Sequence, residues 1–154
     1  FELTDWSIHH AQRIFLTDSF DFTVKTIGVL SCKEILQLAC DRMGEKILTL
    51  FGLFDSDSVK IDETSSTIKN GYDVQLKGED YTIGMLLQHL LFVNYYEGAQ
   101  TMTFCAAKKL LPHDPFIVVK VGYKEEASRG RLVENMKEVL QQASEIYRQM
   151  HDMF

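Results

Sequence analysis

Two short stretches constrain this chain more than any other: Lys77-Gly-Glu-Asp-Tyr-Thr-Ile-Gly84 and Leu110-Leu-Pro-His-Asp-Pro-Phe116. The first ends an alternating segment and opens a helix. Asp80 or Thr82 stands at the N-cap, and Ile83, Leu86, Leu87, Leu90 and Leu91 follow at three-four spacing. The second is a rigid turn, because each of its two prolines restricts itself and the residue before it. Between and around them the pattern predicts a strand (Tyr72, Val74, Leu76), a helix closing at Glu97-Gly98, a strand over 101–107 and a β-branched strand over 116–123. A long helix follows a loop at 125–130. It carries Leu132, Met136, Val139, Leu140, Ala143, Ile146, Tyr147, Met150 and Phe154, close to a coiled-coil seam.

The front of the chain repeats part of this plan. Phe20, Phe22 and Val24 alternate with Asp21, Thr23 and Lys25, predicting a half-buried strand over 20–27 that Gly28 ends. Ser31 with Glu34 has the capping-box spacing. From there Ile35, Leu38, Ala39, Met43, Ile47 and Leu50 carry a helical stripe to about Phe54, with Gly44 as a soft spot. Ahead of this, Trp6, Ile8, Ala11 and Phe15 track one face of a short helix over 7–14. Residues 55–67 are acidic, Ser/Thr-rich and aperiodic, which reads as a linker reaching about 40 Å at ~3.3 Å per residue. The expectation is therefore an α+β protein of two related sheet-plus-helix halves, 1–54 and 68–154, joined by 55–67, with the first half truncated at its front.

At 154 residues the chain is long enough for a real core. A net charge of −6, with Lys108-Lys109 the only adjacent basic pair, argues against direct nucleic-acid binding. The most apolar run, Ile83 to Val93, is about half of the ~20 residues a bilayer demands and is broken by Gln88 and His89. Cys32, Cys40 and Cys105 form no even disulfide framework, pointing to a reducing compartment and to thiols acting as small hydrophobes. The chain opens on Phe1 rather than Met, as expected of a fragment.

No catalytic or metal-binding constellation stands out. His9, His10, His89, His113 and His151 share no ligand spacing with cysteines or carboxylates, and Gly78 and Gly84 build no phosphate loop. Glu79-Asp80 suit the positive end of a helix. Neither a cofactor nor a metal is expected. Gly84 is costly early in a helix, so it predicts a close approach by another group. Three helices with wide apolar stripes exceed what one small sheet face covers, which points to pairing with another surface.

Glu79-Asp80-Tyr81-Thr82-Ile83-Gly84, the leucine-rich helix, Pro112-His113-Asp114-Pro115, the Val-rich strand and the long final helix together resemble the small assembly subunit of multisubunit RNA polymerases. That family comprises the eleventh-largest subunit of eukaryotic polymerase II, archaeal subunit L and, more distantly, the bacterial alpha N-terminal domain. Its usual helix entry is Glu-Asp-His-Thr-Leu-Gly-Asn; here Tyr81 replaces the His and Met85 the Asn. The likeness spans roughly residues 70–154. The front half, from Phe20 through Ser31-Cys-Lys-Glu-Ile-Leu36, is similar to the closing strand and helix of the third-largest subunit, archaeal D. Joined in one chain, the two resemble the fused subunit of large cytoplasmic DNA viruses of the African swine fever virus type.

The resemblance implies a non-catalytic assembly subunit of a viral DNA-directed RNA polymerase, acting in the host cytoplasm and virion. Its partners would be the two large catalytic subunits and other small subunits, with the two halves pairing within the chain and a possible homodimer of the isolated fragment. It places the subunit interface on Thr82, Gly84, Leu86, Leu87, Leu90, Leu91, Leu132, Met136, Val139, Leu140, Ala143, Tyr147, Ile35 and Ala39. The alternatives are a small homodimeric ligand-binding module of α+β fold and a small enzyme using Cys105 or His113.

Overall fold

The computed structural model describes residues 2–14 and 19–154, which divide into two units, Phe1–Cys32 and Lys33–Phe154. The front unit contains helix α1 (Glu2–His9) and a single 3₁₀ turn (Ala11–Arg13). The expected helix thus lies earlier than 7–14, and Phe15 of its stripe falls outside the described residues. Trp6 and Ile8 are exposed.

The strand expected over 20–27 is not formed: residues 19–27 carry no regular structure. The backbone bonds locally instead of in a ladder. Thr26 Oγ1 accepts the Gly28 N–H at 3.1 Å and donates to the Leu30 carbonyl at 2.5 Å, while the Cys32 thiol donates to the Val24 carbonyl at 3.4 Å. Gly28, at φ 94°, makes the turn that permits this. The strand–loop–helix echo of the front half is therefore reduced to its helix.

That helix, α2 (Cys32–Asp55), begins directly after Ser31 and runs as the stripe predicts. The stretch expected to be a linker then contributes a strand, β1 (Lys60–Glu63), antiparallel to β2 (Gly71–Lys77). Val59 is buried and Ile61 half-buried, so two apolar residues at alternate positions suffice to seat this short edge. After β2 come α3 (Tyr81–Leu91), a π-helical segment over Phe92–Gly98, β3 (Met102–Lys108), β4 (Phe116–Tyr123) and α4 (Arg129–Met153). The four strands form one antiparallel sheet in the order β1-β2-β4-β3. The chain is α+β, as expected.

Alternation divides the sheet into two faces. Val74, Leu76, Ile117, Val119, Val121 and Tyr123 point into a core that also holds Leu87 and Leu91 of α3, Met136 and Leu140 of α4, and Ile47, Leu50 and Phe54 of α2. Lys46 to Glu79 (2.8 Å) and Lys137 to Asp55 (2.7 Å) tie α2 to its neighbours at the rim. On the opposite face the cross-strand pair Asp73 and Lys120 meets at 2.7 Å, and Lys120 also reaches Thr64 Oγ1 at 3.2 Å. Gly71 and Gly122 are register partners there. A Cβ on either would lie within 2.5 Å of a side-chain methyl, of Thr64 and Ile68 respectively, so the pair lets the 64–70 segment lie flat on the strands.

Candidate interaction surface

Asp80 caps α3, its Oδ1 accepting the Thr82 N–H at 2.9 Å. That bond, with a second from the Thr82 hydroxyl, holds the Asp80 carboxyl below its ordinary value. Glu79 binds Lys46, so the acidic pair is structural on both counts. Gly84 fulfils the expected close approach, but its neighbour is the sheet and not another helix. A Cβ there would sit 2.3 Å from Ile117 Cδ1 and 3.2 Å from Ala107 Cβ.

Farther along α3, Gln88 Oε1 accepts the Ala107 N–H at 2.7 Å, and the Tyr81 hydroxyl accepts the Lys109 N–H at 3.3 Å. The helix thereby occupies one backbone donor of β3 and another just past its end, and blunts this strand at the end of the sheet order against further strand addition. In the 110–116 turn it is Asp114, and not His113, that ties the loop: its Oδ2 accepts the Leu111 N–H at 2.8 Å.

The residues expected at a subunit interface separate into two groups. Gly84, Leu87, Leu90, Leu91, Leu132, Met136, Val139, Leu140 and Ala143 are buried in this chain's own core, Leu87 at 0 % exposure. What covers them is the sheet together with α2, because the helical stripes face each other and the strands. Leu86, Tyr147 and Ile35 are half-buried, and Thr82 and Ala39 are exposed. Only this second group remains available to a partner.

The apolar side chains that do face outward were not singled out by their helical spacing. Leu48 of α2 is exposed and lines an open groove with Cys40, Gly44, Ser144 and Tyr147, and Met150 and Met153 of α4 are exposed as well. Tyr81, Met85, Leu110 and Leu111 are exposed around the α3 entry and the proline turn. In the π-helical segment Phe92 stacks on Tyr96 at 4.7 Å. In the front unit Phe20, Phe22, Ile27 and Val29 stand exposed at 72, 87, 96 and 81 %. Alternation from Phe20 to Val24 was the available signal. It marks these side chains as ones that need cover without saying where the cover comes from.

Burial shifts the titratable groups of the core. Burial pushes the Cys105 thiol up to about 12, and its Sγ donates to the Gln88 carbonyl. Burial likewise pushes Tyr123 up to about 12, where its hydroxyl accepts from Asn135 Nδ2 at 2.9 Å. Burial and the Glu138 carboxylate, which accepts its hydroxyl proton, raise Tyr95. Among the described residues no helix is long and apolar enough to cross a membrane. Compared with known proteins, the chain matches no family model and no curated protein.

Proposed function

We propose that this chain is a non-catalytic assembly subunit of a viral DNA-directed RNA polymerase, a platform for the two large catalytic subunits that works in the host cytoplasm and the virion. The observation that carries this reading is the exposed apolar run from Phe20 to Leu30. Covering Phe20, Phe22, Ile27 and Val29 is worth on the order of 6–12 kcal/mol before ordering costs, which is what an assembly contact needs. The resemblance of the Glu79–Gly84 and Pro112–Pro115 motifs supplies the kind of assembly. Cys105 supports a non-catalytic role, since a thiol held near 12 has almost no thiolate at neutral pH.

The test is co-expression of the tagged chain with the two large subunits of the viral polymerase. Wild type brings both down. Phe22→Asp with Ile27→Asp loses them while keeping the unfolding temperature, because neither side chain belongs to the core. Undiminished recovery with that double variant, or no recovery with wild type, would overturn the proposal.

A further inference from the structure

Among the described residues the two edges of the sheet differ. α3 blunts the β3 edge, whereas β1 (Lys60–Glu63) has no strand or helix bonded along its outer side. The Thr64 N–H bonds the Gly71 carbonyl at 2.9 Å, so by antiparallel alternation the backbone groups of Ile61 and Glu63 point away from β2. Such an edge is a template for another strand. Beside its start lies an apolar recess of about 180 Å³, lined by Leu50 and Leu53 of α2, by Val59 and Lys60, and by Leu76 of β2. The ladder with β2 stops here at Lys60 and Gln75, which leaves the recess open.

The chain carries a segment that complements this edge. Val59-Lys60-Ile61 is an apolar, positive, apolar triplet, and Phe20-Asp21-Phe22 is an apolar, negative, apolar one. Place Phe20–Val24 extended along β1 with Asp21 beside Lys60. Phe20 and Phe22 then fall beside Val59 and Ile61 whichever way the segment runs, and the charges share the opposite face. Lys60 Nζ also lies 3.1 Å from Asp62, an exposed pair on its own strand that costs little to share. The segment's own chain cannot deliver it there. The Cys32 thiol, at the start of α2, bonds the Val24 carbonyl, and Phe22 lies only two residues from Val24, about 7 Å at most. Leu50, at the recess, is about 27 Å along the helix from Cys32 at ~1.5 Å per residue.

We propose that Phe20–Val24 of a second copy of this chain adds as a strand along β1, with its phenyl rings beside Val59 and Ile61 at the recess. The segment is tethered at the start of α2 and the recess lies near its end. Two α2 helices running antiparallel therefore bring each segment to the other chain's edge, and the exchange closes as a dimer. The dimer and the polymerase contact use the same side chains and exclude each other. The dimer needs this chain alone, so it stands or falls without that reading.

Sedimentation velocity of the chain alone over a range of concentrations tests this. Wild type should form a dimer that dissociates on dilution. Phe22→Asp should weaken it at least about a hundredfold, since two rings lose their cover in each dimer. Asp21→Lys and Lys60→Asp should each weaken it about tenfold, because like charges then face each other at both contacts. All three substitutions sit at exposed positions, so each variant should keep the wild-type circular dichroism spectrum. An equimolar mixture of Asp21→Lys and Lys60→Asp should recover the wild-type dimer, as each segment then meets an edge of opposite charge. Pairing within one chain predicts no such recovery. A wild type that stays monomeric, a dimer indifferent to Phe22→Asp, or a mixture no more associated than its two components would overturn the proposal.

Discussion

Phe20–Ile27 and Phe116–Tyr123 begin from similar instructions, each a Phe-led run of β-formers with a single lysine. They end in opposite states. Phe116–Tyr123 became β4, flanked by β2 on one side and β3 on the other and buried on its core face. Phe20–Ile27 makes no ladder, and its two phenyl rings lie 6.4 Å apart, both exposed. Alternation belongs to a segment, whereas a strand belongs to a pair, because an isolated extended segment has no partner for its N–H and C=O groups. The same holds for side chains. Leu87 and Phe22 are equally apolar, but one completes a core and the other waits for a surface.

Substituting one residue of each kind separates these states most sharply. Leu87→Asp should abolish folding of Lys33–Phe154, and even Leu87→Ala should cost about 3 kcal/mol, since a fully buried leucine leaves a cavity. Phe22→Asp should change stability by less than about 0.5 kcal/mol, as expected for an exposed site. Denaturant unfolding followed by circular dichroism reads both. A folded Leu87→Asp variant would mean that the helical stripe is an external surface after all.

Gly84 gives the next largest effect. Alanine gains up to about 1 kcal/mol of helix propensity but must place its Cβ against Ile117 and Ala107, an overpacking that costs about 1–3 kcal/mol. Gly84→Ala should therefore destabilise by up to about 2 kcal/mol. Removing the obstructing Cδ1 with Ile117→Val should recover part of the loss, giving a coupling of at least about 0.5 kcal/mol in a double-mutant cycle. Strict additivity would show that Gly84 and Ile117 do not meet across the α3–β4 contact.

Most of the regular structure was readable from periodicity. The stripe from Ile35 to Phe54 became α2, and the segments around the two motifs became β2, α3, β3, β4 and α4. What periodicity could not supply was the identity of the covering surface. Leu132, Met136 and Val139 look the same whether a sheet or a second subunit lies over them, and here it is the chain's own core. β1 was obscured because it rests on Val59 and Ile61 inside a charged stretch, too few residues to show a period. The Gly71 and Gly122 pairing required the register before either glycine had a reason.

The smallest effect concerns the entry that holds α3 in register. Asp80→Ala removes the N-cap and should cost about 1 kcal/mol at neutral pH. Its pH dependence follows from the carboxyl's depressed value. The folded form lies below the ordinary 3.8 because the Thr82 N–H and hydroxyl bond the ionised group. The stabilisation is therefore complete above the unfolded value and is lost as pH falls through the folded one. Wild type and Asp80→Ala should differ by a constant amount from neutral pH down to about 4 and converge below that. Asp80→Asn keeps a capping oxygen at every pH, so its stability should exceed that of Asp80→Ala even where wild type has lost its advantage. A gap between wild type and Asp80→Ala that persists undiminished at pH 2 would show that the carboxylate's charge contributes nothing to the cap, leaving only the shape of the side chain.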